Sequence, residues 1–101
     1  MNPHNLNILA IGRNAEIMQV VYRLINAHEG WKATIALTDE EAVLHLGREP
    51  YDIILLCAGI SKEEEEIWRK QLLQSAPGTI IIRHYGGGSG LLENEILAVL
   101  H

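Results

Sequence analysis

The sequence predicts an α/β domain in which four parallel strands form an open sheet with helices on both faces. Three observations carry that expectation. Four short apolar runs recur along the chain, each run is followed by a segment with helical periodicity, and residues that cap helices stand at the junctions. Alternation of strand and helix with short connections implies right-handed crossovers and a parallel sheet. Residues 1–101 are read as a single domain, with 48% hydrophobic and 21% charged residues, which is ordinary globular usage.

The first run, Leu6 to Gly12 (LNILAIG), is a buried-strand pattern ended by glycine. Asn14 offers an N-cap, and Ile17, Val20, Val21, Leu24 and Ile25 follow at helical spacing, with Gly30 placed to end the helix. Trp31 to Leu37 (WKATIAL) alternates as a second strand. Thr38 and Glu41 form a capping-box pattern before a short helix expected to turn Ala42, Val43 and Leu46 inward and to close at Gly47 and Pro50. Tyr51 to Ala58 (YDIILLCA) is a third strand. Its continuous apolar centre, Ile53 to Leu56, suits a central strand covered on both faces. Ser61 and Glu64 form a second capping box, and Ile67, Trp68, Leu72 and Leu73 are expected on the inner side of the helix that Pro77-Gly78 stops. Thr79 to Tyr85 (TIIIRHY) is the fourth strand. The glycine-rich run Gly86 to Gly90 links it to a last helix, Leu91 to Leu100, with Leu92, Ile96 and Val99 inward.

Composition narrows the function classes. The net charge is −5 and the eight basic residues are scattered, so nucleic acid is not an expected partner. No apolar run is long enough to span a bilayer and no secretory signal pattern opens the chain, so no membrane association is expected and the reading is cytoplasmic. A single cysteine, Cys57, excludes an intrachain disulfide and fits a reducing compartment. His4, His28, His45 and His101 lack metal-ligand spacing, Ser61 and Ser89 lack a nucleophile-elbow context, and no Ser-His-Asp set is visible. No metal, cofactor or catalytic residue is expected.

Residues 6 to 85 resemble the receiver domain of two-component response regulators. The segment Pro50-Tyr51-Asp52-Ile53-Ile54-Leu55-Leu56-Cys57 is similar to that family's third strand, Ile8 to Asn14 to its first strand and acidic pair, and Thr79 to His84 to its fourth strand. The resemblance implies a flavodoxin-like sheet of order 2-1-3-4, truncated at the fifth strand. It also implies a degenerate phosphorylation site. Gly12 and Arg13 stand at the acidic pair, Cys57 at the phosphoacceptor aspartate, and His84 at the Ser/Thr position, while no lysine follows Lys70. Phosphoryl transfer to aspartate needs carboxylates for Mg²⁺ and a cation for the developing charge. The resemblance therefore implies a pseudo-receiver, a signalling and protein-interaction module that is not an enzyme. Without a fifth strand, Thr79–Tyr85 becomes an apolar sheet edge, so a homodimer through this edge or through the last helix is expected, the alternative being that the last helix covers the edge within one chain.

A second reading is a rim that binds an anion or small ligand, built from Arg13, Cys57, Arg83, His84, Gly86, Gly87, Gly88 and Ser89 at the C-terminal ends of the strands, where open α/β sheets bind ligands. Cys57-Ala58-Gly59-Ile60-Ser61 faintly resembles the cysteine loop of sugar-phosphotransferase IIB proteins, which would imply phosphocysteine or redox chemistry. That family's loop follows its first strand, however, and Glu63 to Glu66 place negative charge nearby. Those four glutamates are expected to form a solvated helix start. The glycine run is neither a P-loop nor a dinucleotide fingerprint.

Overall fold

The computed structural model describes residues 5–84 and 89–99. Eight elements alternate: β1 (Leu6–Ile11), α1 (Ala15–Asn26), β2 (Trp31–Ala36), α2 (Asp39–Arg48), β3 (Ile53–Leu56), α3 (Lys62–Ser75), β4 (Ile80–Arg83) and α4 (Ser89–Ala98). The four strands form one sheet of order β2-β1-β3-β4, and every pairing is parallel. This is the flavodoxin-like, doubly wound order. Among the described residues the sheet ends at β4, and no helix is long and apolar enough to cross a membrane.

Strand alternation sorts the apolar side chains into two layers. Ile8 and Ala10 of β1, Ile53 and Leu55 of β3 and Ile82 of β4 join Met18, Val21 and Ile25 of α1 and Leu92 and Ile96 of α4. Leu9 and Ile11, Ile54 and Leu56 face the other way, onto Ala42 of α2 and Trp68 and Leu72 of α3. Thus α1 and α4 cover one face, and α2 and α3 the other. A right-handed crossover leading to a further strand beyond β4 would place its helix beside α2 and α3. Helix α4 instead returns to the face of α1, closing that layer over β4.

The helix starts follow their caps. Asn14 and Thr38 accept from the backbone N–H of Ile17 and Glu41, and Ser61 and Glu64 make a complete capping box. The box at α2 is incomplete, because the Glu41 carboxylate accepts from the N–H of Leu37 rather than that of Thr38. The expected inward faces need correcting. Ile17, Val20, Val43, Ile67 and Leu73 are exposed, and Met18 takes the inward position in α1. Helix α2 continues through Gly47, which lies in its last turn, to Arg48. The strands β3 and β4 are also shorter than Tyr51–Ala58 and Thr79–Tyr85, at four residues each.

Candidate site at the C-terminal rim of the sheet

The parallel strands all end at one rim, and period-two alternation decides which face each rim residue serves. Continuing β1, Ile11 faces the α2/α3 layer, so Gly12 turns to the α1/α4 face and Arg13 to the α2/α3 face. The ladder extends beyond the strands. The N–H of Gly12 donates to Ala36 O at 3.1 Å, that of Arg13 to Ala58 O at 2.9 Å, and that of Cys57 to Ile11 O at 2.7 Å.

Arg13 is the centre of the α2/α3 side. Its Nη2 lies 2.7 Å from Asp39 Oδ1 and 2.5 Å from Glu64 Oε2, and its Nη1 donates to the carbonyl of Leu37 at 3.2 Å. Asp39 is the first residue of α2 and Glu64 lies in the first turn of α3, so one guanidinium ties both helix starts to the end of β1. Trp68 Nε1 donates to the same Asp39 oxygen at 3.2 Å. Glu64 is shared as well, since its Oε1 accepts from the N–H of Ser61 at 3.0 Å while Oε2 faces Arg13. The Ser61 backbone N–H first, and Arg13 second, hold the Glu64 carboxyl below its ordinary pKa of 4.5. The hydrogen bond to Asp39 is the largest of the effects that raise the pKa of Arg13.

Arg83, on the α2/α3 face of β4, lies 3.4 Å from Glu65 Oε1, and Glu65 Oε2 also accepts from Arg69 Nε at 2.8 Å. Arg13 and Arg83 therefore meet successive residues of α3. The expectation of a merely solvated glutamate run is corrected here. Glu64 and Glu65 have fixed partners, while Glu63 and Glu66 are exposed.

The other two rim residues lie across the sheet. His84 is 7% exposed, and its Nδ1 pairs with Glu95 Oε1 of α4. Cys57 is fully buried in the α1/α4 core, with its thiol 3.8 Å from the carbonyl of Leu55. Burial, with Glu95 adding to it, pushes the Cys57 pKa up to about 12. Gly12 is packed against this residue: a β-carbon at position 12 would lie 2.5 Å from Met18 Sδ and 3.1 Å from Cys57 Cβ.

Gly12, Arg13, Cys57 and His84 thus share a rim but not a pocket. Arg13 belongs to α2 and α3, whereas Cys57 and His84 belong to α4. Gly86, Gly87 and Gly88 lie outside the described residues, as does Tyr85, and of Ser89 the backbone alone is described, as the first residue of α4. Among the described residues, no three His, Cys, Asp or Glu side chains are grouped to hold a metal ion. Sequence reasoning missed Asp39 and Glu64 as partners of Arg13, and Glu95 as the partner of His84. All three follow from crossover geometry rather than from a local motif. No family model, curated protein or solved structure matches the chain.

Proposed function

We propose that this chain is a non-catalytic interaction module, a pseudo-receiver that operates without aspartyl phosphorylation. The observation that carries the reading is the Arg13 guanidinium held between Asp39 and Glu64 at the end of β1. In the family the chain resembles, carboxylates at that place hold a divalent cation. A fixed positive charge there repels one, and the nearby carboxylates already serve Arg13. The phosphoacceptor position is filled by a buried, protonated thiol in an apolar layer. The residues present therefore do not fit a Mg²⁺-dependent phosphorylation site.

The alternative of an anion-binding rim has less support. Arg13, Arg83 and His84 each face a carboxylate, which an incoming anion would have to displace.

The reading is tested by incubating the full chain with acetyl phosphate and Mg²⁺ and measuring its intact mass, and by titrating it with beryllofluoride and Mg²⁺. An unchanged mass and unshifted backbone amide resonances at the rim are expected. A stable acyl phosphate, or tight binding of the beryllofluoride mimic, would overturn it.

A further inference from the structure

We infer that the groove between α2 and α3 is a docking site for an amphipathic helix of a partner protein, with the basic end of that helix over the first turns of α2 and α3. The inference rests on the interaction-module reading and names the surface and partner chemistry that reading lacks.

The groove is a consequence of surplus apolar residues. Ala42, Trp68 and Leu72 satisfy the core beneath the two helices, yet Val43, Leu44 and Ile67 remain 57%, 60% and 56% exposed. These three line, with Trp68 and Gln71, a cavity of about 550 Å³. A second cavity of about 430 Å³ continues from Val43 and Trp68 along Leu46 and Leu72. Single exposed apolar side chains are ordinary on a protein surface, but a contiguous set lining a channel between two helices marks an interaction surface. Its form, a trough between parallel helices, suits the apolar face of a third helix that presents side chains at i, i+3, i+4 and i+7.

Charge selects the occupant. Both helices start at the same rim, and Asp39, Glu40 and Glu64 line that end of the groove, with Glu41, Glu63 and one basic residue, Lys62, in the same first turns. Arg13 offsets part of that charge and is committed to two of the carboxylates. The opposite end, around Gln74 and Ser75, lies beside Arg48 and Glu49, whose charges offset each other. A helix with Lys or Arg clustered at one end matches this asymmetry in both affinity and direction. A second copy of this chain matches it poorly. The exposed apolar residues of α1, Ile17 and Val20, adjoin the acidic Glu16, so the helix that a second copy would offer brings like charge to the acidic end of the groove.

The test is a display library of amphipathic helices about four turns long, with fixed apolar positions and all others varied, selected on the full chain. Enriched peptides are expected to carry Lys or Arg at one end and to shift backbone amide resonances of α2 and α3. Their affinity is expected to fall at least about tenfold in Leu44→Asp and in Ile67→Asp, two exposed positions, and several-fold in Glu40→Lys and at high salt. Circular dichroism of each variant checks that it is folded, and Leu44→Ala provides a milder second variant. The proposal is overturned if nothing enriches, if the enriched helices are acidic or map elsewhere, or if folded variants bind unchanged. It is also overturned if sedimentation reveals a dimer that Leu44→Asp dissociates, since a second copy then fills the groove. Failure here leaves the acetyl phosphate result standing, and an acyl phosphate would sink the module reading whatever the peptides do.

Discussion

The side chain of Arg13 packs onto Gly59, so closely that a β-carbon at position 59 would lie 2.6 Å from Arg13 Cβ and 2.7 Å from Arg13 Cγ. Gly59 also has φ +93°, a conformation that L side chains rarely adopt. The turn after β3 therefore depends on glycine twice, for its backbone and for the space that lets Arg13 reach α2 and α3. Gly59→Ala is expected to destabilise the fold by about 1–3 kcal/mol, read from chemical denaturation. An unchanged midpoint would show that the stem of Arg13 does not need this contact.

Arg13→Ala removes two ion pairs and a bond to the Leu37 carbonyl. The carboxylates are more than one-third exposed, at 48% for Asp39 and 36% for Glu64, so solvent screens both pairs. The expected loss is therefore small, on the order of 1 kcal/mol. A double-mutant cycle with Glu64→Gln isolates the pair, with an expected coupling of a few tenths of a kcal/mol to about 1 kcal/mol. A coupling of zero would mean that the Glu64 pair contributes nothing and that Arg13 acts through Asp39, the Leu37 carbonyl and its packed stem.

Acid should loosen the same corner. The Glu64 carboxyl is held below its ordinary value by Ser61 N–H and Arg13, so the folded state favours its ionised form more than the unfolded chain does. That stabilisation is present above pH 4.5 and is lost as pH falls through the lowered value. Wild-type protein should therefore lose stability on acidification in this range more steeply than Glu64→Gln. Parallel profiles for the two proteins would remove Glu64 from the acid response.

Burial makes Cys57 a slow thiol. With its pKa raised from 9.0 to about 12, the thiolate is scarce near neutral pH, and the sulfur is shielded by α1 and α4. Iodoacetamide is expected to modify the native protein far more slowly than the urea-unfolded chain. The linked stability is full below pH 9.0 and declines as pH rises from there toward 12. Rapid native alkylation at neutral pH would contradict the burial and reopen thiol chemistry at the rim.

The sheet was legible because its signals are local. Ile53 to Leu56 form an unbroken apolar run, as a strand covered on both faces must, and Asn14, Thr38 and Ser61 are side-chain caps readable within four residues. The inward helix faces were less so. Val43, Ile67 and Leu73 follow helical spacing as well as Trp68 and Leu72 do, and periodicity does not separate residues that fill a core from residues that line a surface groove. At the rim, the contacts of Arg13 with Asp39 and Glu64 span 26 and 51 residues of chain. They exist because two crossovers place the starts of α2 and α3 beside the end of β1, information held by topology rather than by spacing.

Strand β4 decides the question of self-association. The N–H of Ile80 donates to Asp52 O and that of His84 to Leu56 O, so in a parallel ladder the N–H of the intervening Ile81 points away from β3. Beside this edge, Leu73 is 72% exposed. Helix α4 packs on one face of the sheet through Leu92 and Ile96. If two copies join β4 to β4, the Ile81 amide becomes bonded to the partner strand, and its hydrogen exchange slows as protein concentration rises, alongside a dimer in sedimentation. That is the expected outcome. Exchange at Ile81 that stays fast and independent of concentration, in a protein that sediments as a monomer, would show that the edge is left unpaired and that short length alone protects it.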